Sequence, residues 1–296
     1  MPAQTIVDRL RETDRPTFSV EFFPPSDDAG VQQLIGTIDA LRDLDPDWVS
    51  VTYGATGASR YKTFAAVGAI RGQTAVSTIG HLTIAGQSAA EVVRAVQAYE
   101  RLGVTHILAM RGDPPAGGAF RAHREGLRTA TDLVKLVKSL GDFTVGVAAF
   151  PDGHPEGNLD LDAEILLAKE QAGAEYAITQ LFFDAAAYVS LVERFRALGG
   201  TMPIIAGIMP ITVPSQIERF AGLSGSRMPA EFEAALREVA DDKAAFRARG
   251  IDLVTQLCRD VLAAGAPGLQ FFTLNRSTAT AEILGRLRAE VAPAAS

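Results

Sequence analysis

A chain of 296 residues with 47% hydrophobic side chains and a net charge of −7 can bury a large core, and its scattered Lys and Arg give no nucleic-acid footprint. Its one cysteine, Cys258, lies in an apolar-periodic run and reads as a buried helical thiol, which excludes an intrachain disulfide or a cysteine-based metal site. No signal-peptide core opens the chain and no apolar run approaches a membrane span, so a cytoplasmic protein is expected.

Short apolar or β-branched runs then recur in order. They are T-F-S-V-E-F-F (17–23), D-W-V-S-V-T-Y (47–53), V-S-T-I-G-H-L (76–82) and V-T-H-I-L-A-M-R (104–111), followed by F-T-V-G-V-A-A-F (143–150), Y-A-I-T-Q-L-F-F (176–183), P-I-I-A-G-I-M (203–209) and L-Q-F-F-T-L-N (269–275). Between them lie Ala/Leu/Arg/Glu segments of helical spacing, such as A-A-E-V-V-R-A-V-Q-A-Y-E-R-L-G, which stops on Gly103 as a helix end does. Strands alternating with helices at a beat of roughly 30 residues are parallel βα units. Eight of them predict a (β/α)8 TIM barrel forming a single domain over 1–296. A doubly wound sheet is the competitor, but its Gly-rich turn is absent: the nearest cluster, Y-G-A-T-G-A-S-R, lacks the spacing. The stretch between strands seven and eight is too long for one helix, so extra helices are expected there.

In such a barrel the chemistry gathers at the carboxyl ends of the strands. Those ends are unusually polar: Ser19 and Glu21, then Thr52 and Tyr53, His81, Arg111 and Asp113, Phe150 and His154, Gln180, and finally Thr273, Asn275 and Arg276. Each has an ordinary explanation alone. A histidine can be a satisfied structural residue, R-G-D-P-P a salt-bridged turn, and N-R a helix cap. A barrel built for stability alone has no reason to aim them all at one rim. Glu21 is the most telling, because an ionised carboxylate in an apolar strand costs several kcal/mol unless it is paired, hydrated or protonated.

Several chemistries drop out. No lysine stands at a strand end for a Schiff base, no H-E-x-x-H or close ligand set supports a metal, and no Ser-His-Asp set sits on a nucleophile elbow. A semi-buried glutamate of raised pKa, a separate acid beside an Arg-Gly turn, amides and flat apolar side chains suit a proton-assisted reaction on a flat heteroaromatic substrate. A barrel of another enzyme class and a barrel that only binds its flat ligand, with Glu21 as an anchor, are the other readings.

The ordered set F-S-V-E-F-F-P-P, V-S-V-T-Y-G-A, G-H-L-T, I-L-A-M-R-G-D-P-P, V-A-A-F-P-D-G-H-P-E, A-I-T-Q-L-F-F-D, G-I-M-P-I and F-F-T-L-N-R resembles the methylenetetrahydrofolate reductase family across all eight strands. The resemblance implies a barrel that passes a hydride from NADH or NADPH to methylenetetrahydrofolate, normally through bound FAD, giving 5-methyltetrahydrofolate. It implies Glu21 as the proton donor that opens the methylene bridge and Asp113 as the negative charge favouring the cationic intermediate. Ser19, Gln180, Gln216, Phe220 and Arg276 fall on the folate side. Thr52, His81, Arg111, Gly112, Phe150, His154 and Lys169 fall on the cofactor side. Small-molecule partners are implied, with neither nucleic acid nor membrane.

The departures concern the flavin. Thr129 stands where the family usually has a tyrosine, and Phe150 where it has another. On the helix after strand five, Ile165 and Ala168 occupy the positions of an Asn and an Arg that reach the flavin, leaving Lys169. A pyrophosphate without its Arg loses a charge-assisted contact of roughly 1.5 to 3 kcal/mol. The resemblance therefore points to a member that works without FAD, with Arg111 and Lys169 expected to meet the dinucleotide phosphates. The surface helices read as Ala/Arg/Glu mixtures without an exposed apolar stripe, so no assembly is indicated.

Overall fold

Eight parallel strands close in sequence order into a barrel: β1 (Thr17–Phe22), β2 (Trp48–Val51), β3 (Ser77–Thr83), β4 (His106–Met110), β5 (Thr144–Ala149), β6 (Tyr176–Thr179), β7 (Ile204–Ile208) and β8 (Gly268–Phe272), with β8 pairing back to β1. The structure is a computed structural model that describes residues 5–12, 15–25, 27–42, 45–53, 60–74, 76–113, 119–221, 227–276 and 278–291. The strands are buried on both faces, which is why they read as continuous apolar runs. Helices α8 (Ser215–Ala221), α9 (Ala230–Arg237) and α10 (Lys243–Ala263) fill the long stretch between β7 and β8, as its length predicted.

Local chemistry starts the outer helices where the sequence supplies caps. Ser88 and Glu91 form a reciprocal capping box on α4 (Ala89–Arg101), and Asn158 caps α6 (Leu159–Gln171). Thr129, the residue that replaces a tyrosine, caps α5 (Ala130–Leu140): its hydroxyl accepts from the Asp132 amide at 3.1 Å.

Side chains alternate along a strand, so the register decides what shares the barrel interior. Ser19 pairs with Trp48 and Gln270, and Glu21 with Ser50 and Phe272, while Ser50 pairs with Ile79, two residues before His81. The interior therefore has two storeys. The lower one is mostly apolar, built from Trp48, Ile79, Leu108, Tyr176, Ile178 and Ile205, with Ser19 and Gln270 in register beside Trp48. The upper one is polar.

A helix that the strand count did not anticipate, α1 (Ile6–Glu12), closes the amino end and packs Ile6 and Val7 into the lower storey. It is tied there by the Ile6 amide, which donates to Nε2 of His106 at 3.2 Å, and by Arg9, which meets the buried Asp47 at 2.6 Å. Burial pushes the His106 pKa down to about 4, so the ring is the neutral acceptor that this bond needs near neutral pH. Ile6→Ala should cost about 2 to 5 kcal/mol in urea unfolding through the cavity it leaves. A loss within about 0.5 kcal/mol, the scale of a surface change, would remove α1 from the core.

Candidate active site

Glu21 lies in the upper storey, one inward position above Ser19. Its carbonyl is gripped by Thr273, whose hydroxyl donates at 2.6 Å and whose amide donates at 3.3 Å. Asn275, held at a φ of +58°, clamps the next loop from both sides: its Oδ1 accepts from the Phe23 amide at 2.8 Å and its Nδ2 donates to the Phe23 carbonyl at 3.0 Å. The T-L-N of the last motif thus fixes the backbone of the first rather than capping a helix.

Beneath the carboxyl stands Gln270. Its Oε1 accepts from Ser19 Oγ at 2.8 Å and from Trp48 Nε1 at 3.3 Å, and its Nε2 donates to Ser50 Oγ at 2.7 Å. Only 8% of Glu21 is exposed, and burial pushes its pKa up to about 8 against the opposing hydrogen bond of Gln270. The carboxyl is therefore largely protonated at neutral pH. His81, 3% exposed, places Nε2 at 3.5 Å from Glu21 Oε2. That spacing would make an ion pair were the ring charged, but burial pushes the His81 pKa down to about 3 and the two meet as neutral groups. A protonated acid held in a nearly dry wall is a proton donor.

The wall beside it is under-bonded. Among the described residues, five buried side-chain polar atoms have no hydrogen-bond partner, and three of them are Thr52 Oγ1, His81 Nε2 and Thr83 Oγ1 on neighbouring β2 and β3. Buried polar atoms left unpaired in a folded chain point to something that completes them.

A second cluster gathers around the loop after β5. Phe150 packs edge-on against His154 at 4.8 Å, the His154 amide donates to Asp162 at 2.7 Å, and the Glu156 amide donates to His154 Nδ1 at 3.1 Å. Burial, then the nearby Arg111, lowers the His154 pKa. Arg111 meets Glu156 at 2.6 Å and lies 4.6 Å over the Phe120 ring, while Gly112 takes a φ of +85°. Lys169 turns inward to donate to the Ala148 carbonyl at 2.9 Å, and burial brings its pKa down to about 8.

The remaining residues singled out in the sequence have partners or positions of their own. Ser19 is fully buried below Glu21 and spends its hydroxyl on Gln270, because its place in the strand is one storey under the rim. Gln216 does not offer its amide to the mouth: Oε1 accepts from the amides of Thr212 and Val213 at 2.7 and 3.0 Å, and Nε2 donates to the Pro210 carbonyl at 3.4 Å. Asp113 is exposed rather than in a dry pocket, and Arg111 pairs with Glu156 instead of leaving a charge free for phosphate. Gln180 is half-buried, with Oε1 accepting from the Leu181 amide at 2.9 Å, and Arg276 is exposed on the rim after β8. The Phe220 side chain lies outside the described residues. Gln270 is the functional residue that the sequence reading passed over, although its place in L-Q-F-F, a lone amide inside an apolar strand, is the same kind of signal that singled out Glu21.

The α6 positions that the resemblance ties to the flavin carry no hydrogen-bond donor on the surface. On α6, Leu161 and Ile165 are 41% and 40% exposed one turn apart, Ala168 is exposed beside them, and the one cation, Lys169, points into the barrel. This face has no donor to set against a pyrophosphate, and it is also the exposed apolar stripe that the composition of the surface helices did not suggest.

The family model described as methylenetetrahydrofolate reductase matches residues 6–288. The chain is 35% identical over 289 residues to methylenetetrahydrofolate reductase 1 of Schizosaccharomyces pombe, covering 95% of this chain and 48% of that protein. It is 33% identical to methylenetetrahydrofolate reductase (NADH) 1 of Arabidopsis thaliana, covering 95% of this chain and 50% of the relative. To the 5,10-methylenetetrahydrofolate reductase of Escherichia coli it is 34% identical, covering 88% of this chain and 86% of that one. The chain thus spans about half the length of the S. pombe and plant relatives. Among solved structures, a Clostridium thermocellum protein that binds two copies of 5-methyl-5,6,7,8-tetrahydrofolic acid superposes with a TM-score of 0.63 at 15% identity, covering 97% of this chain and all of that one, a likeness of fold alone.

The geometry of Glu21 predicts a stability signature. Its folded pKa of about 8 lies above the ordinary 4.5, so its contribution is full below about pH 4.5 and is lost as pH rises through about 8. Glu21→Gln carries no such loss, and its melting temperature should gain on the wild type steadily between about pH 5 and about pH 9. A constant difference between the two proteins over that range would mean that the buried acid does not hold its proton.

Proposed function

The chain belongs to the methylenetetrahydrofolate reductase family, and from that premise we propose that it reduces 5,10-methylenetetrahydrofolate to 5-methyltetrahydrofolate with a hydride from NADH or NADPH, acting in the cytoplasm as one barrel domain over 1–296. The observation that carries the reading is the burial of Glu21 inside the barrel beside Gln270 and His81, which raises its pKa to about 8. Relatives named as NADH enzymes in Arabidopsis thaliana and Zea mays support a pyridine nucleotide as donor. No helix among the described residues is long and apolar enough to cross a membrane.

The chemistry balances on this chain's own groups. Glu21 gives its proton to a nitrogen of the methylene bridge, the C–N bond breaks, and an iminium forms. The carboxylate left behind lies in a nearly dry wall, where its negative charge favours the cation more strongly than a solvent-exposed charge does. Asp113, exposed on the rim, adds a screened field from farther out. Hydride then enters the methylene carbon as NADH becomes NAD⁺, and Glu21 recovers a proton from water.

Direct transfer is the reading that the α6 face supports. It requires nicotinamide and folate to be bound together, with the donor carbon within about 3 to 3.5 Å of the methylene. Gln180, Phe220 and Arg276 are assigned to the folate side, and Thr52, His81, Gly112, Phe150 and His154 to the nicotinamide side. Arg111 can turn to phosphate only by leaving Glu156, and Lys169 only by leaving Ala148.

Active, freshly purified protein should lack a flavin band, and initial rates over a grid of both substrates should give intersecting double-reciprocal lines. A stoichiometric flavin band with parallel lines would restore transfer through FAD. Folate binding with no folate-dependent oxidation of NADH or NADPH would leave a binding barrel instead.

Glu21→Gln keeps shape and removes the proton, so turnover should fall by roughly 100- to 10,000-fold with folate affinity nearly unchanged. Near wild-type turnover in this variant would take Glu21 out of the chemistry.

A further inference from the structure

The Glu21–His81 pair holds one proton between two groups that could each carry it. The acid form of Glu21 beside a neutral ring, and a carboxylate beside an imidazolium, contain the same number of protons and differ only in where the charge sits. Building on the reading of Glu21 as proton donor, we propose that His81 is a positioning residue: its neutral Nε2 accepts the acid hydrogen of Glu21 in the resting enzyme and holds that hydrogen in place for the substrate.

Three observations carry this. Nε2 is 3.5 Å from Oε2 and is otherwise without a hydrogen-bond partner, so the acid hydrogen is the group placed to complete it. The backbone that carries the ring is fixed, because Tyr99 donates to the His81 carbonyl at 2.6 Å and a β-carbon on the preceding Gly80 would come within 2.4 Å of the Tyr99 ring, and the side chain itself is only 3% exposed. The surroundings favour the uncharged arrangement. From β1 and β2 the neighbours are Ser19, Ser50 and Thr52, and from β8 the amide of Gln270, none of them charged. The charges after β4 and β8, Asp113 and Arg276, are exposed on the rim, and Arg111 is spent on Glu156. With no third charge to stabilise it, a buried ion pair would lose more in desolvation than it gains in attraction. Burial accordingly acts on the two groups in opposite directions, raising the acid and lowering the base.

The neutral and ionic arrangements respond oppositely to loss of the ring. If Nε2 accepts from the acid, it stabilises protonated Glu21, and removing it lowers the pKa; if the ring is a cation, removing it raises the pKa. The test is the high-pH limb of kcat/KM, which reports the free enzyme, in His81→Leu and His81→Gln. With leucine the limb should move down by about one pH unit, the scale of one lost neutral hydrogen bond, leaving activity above the limb about tenfold lower. Glutamine, whose amide oxygen can accept, should bring the limb back toward the wild type and also serves if the leucine variant folds poorly. An upward shift would overturn the proposal in favour of an ion pair. Lost activity with an unmoved limb, or a raised KM for the dinucleotide alone, would overturn it in favour of a structural or ligand-contact role.

The carboxyl can also be titrated without substrate, by infrared difference spectra of each protein against its Glu21→Gln counterpart. The same downward shift there, in a protein that fails to reduce methylenetetrahydrofolate, would keep the pair and discard the reductase reading. An unshifted titration would discard the pair whatever the activity.

Discussion

The upper half of the barrel depends on keeping one carboxyl out of water. Ionised, Glu21 would be among the most costly groups in the fold, because no charged group among the described residues compensates it and the desolvation of a lone carboxylate is worth several kcal/mol even after relaxation. Protonated, it is merely a polar side chain with two neighbours, Gln270 below and His81 beside. The surrounding bonds serve that state. Thr273 fixes the carbonyl of the same residue, Asn275 fixes the loop that follows, and Ser19, Ser50 and Trp48 fix the amide beneath. A floor held this tightly cannot rearrange to let water solvate the anion, so burial goes on opposing ionisation.

That arrangement requires a dry lower storey. Trp48, Ile79, Leu108, Tyr176, Ile178 and Ile205 fill the barrel beneath the polar layer, and α1 covers the open amino end over them. Without the cover, the lower face of Gln270 would be a short distance from solvent through the barrel axis. The helix that the sequence reading did not anticipate therefore supports the site at the opposite end of the molecule. Its seven residues are too short for a clear helical period, and Ile6 and Val7 look like any apolar pair near a terminus, so pattern alone could not assign them.

The same distinction explains what else could and could not be read. Strand order, parallel pairing and the presence of extra helices before β8 follow from runs of residue types, which periodicity and length report directly. Depth and partnership do not. Ser19 and Glu21 share a face, and only the register with Gln270 and Ser50 places one a storey below the other. Gln216 looks like a ligand amide until the turn before α8 is built, whereupon two backbone amides claim its oxygen. Asp113 and Arg111 are neighbours in R-G-D, yet the guanidinium pairs with Glu156, forty-five residues on, and Asp113 is exposed.

The helices on either side of β5 carry the point furthest, because the residues singled out there have other work. Thr129 caps α5, and Lys169 is folded under to the carbonyl of Ala148 with its pKa brought down by burial. Ile165 and Ala168 remain on the exposed face with nothing polar to offer. A lysine that merely lacked its phosphate would be expected to reach for water, since an ammonium is strongly hydrated. Burying it against the strand instead, near Asp162, gives it a structural bond that a phosphate would have to break. Two of the buried atoms without a partner, Thr52 Oγ1 and Thr83 Oγ1, lie instead just after β2 and on β3, the strands next to Glu21. Buried hydrogen-bonding capacity is thus left open near the acid, whereas the exposed α6 positions Leu161, Ile165 and Ala168 have no polar side-chain atom to offer.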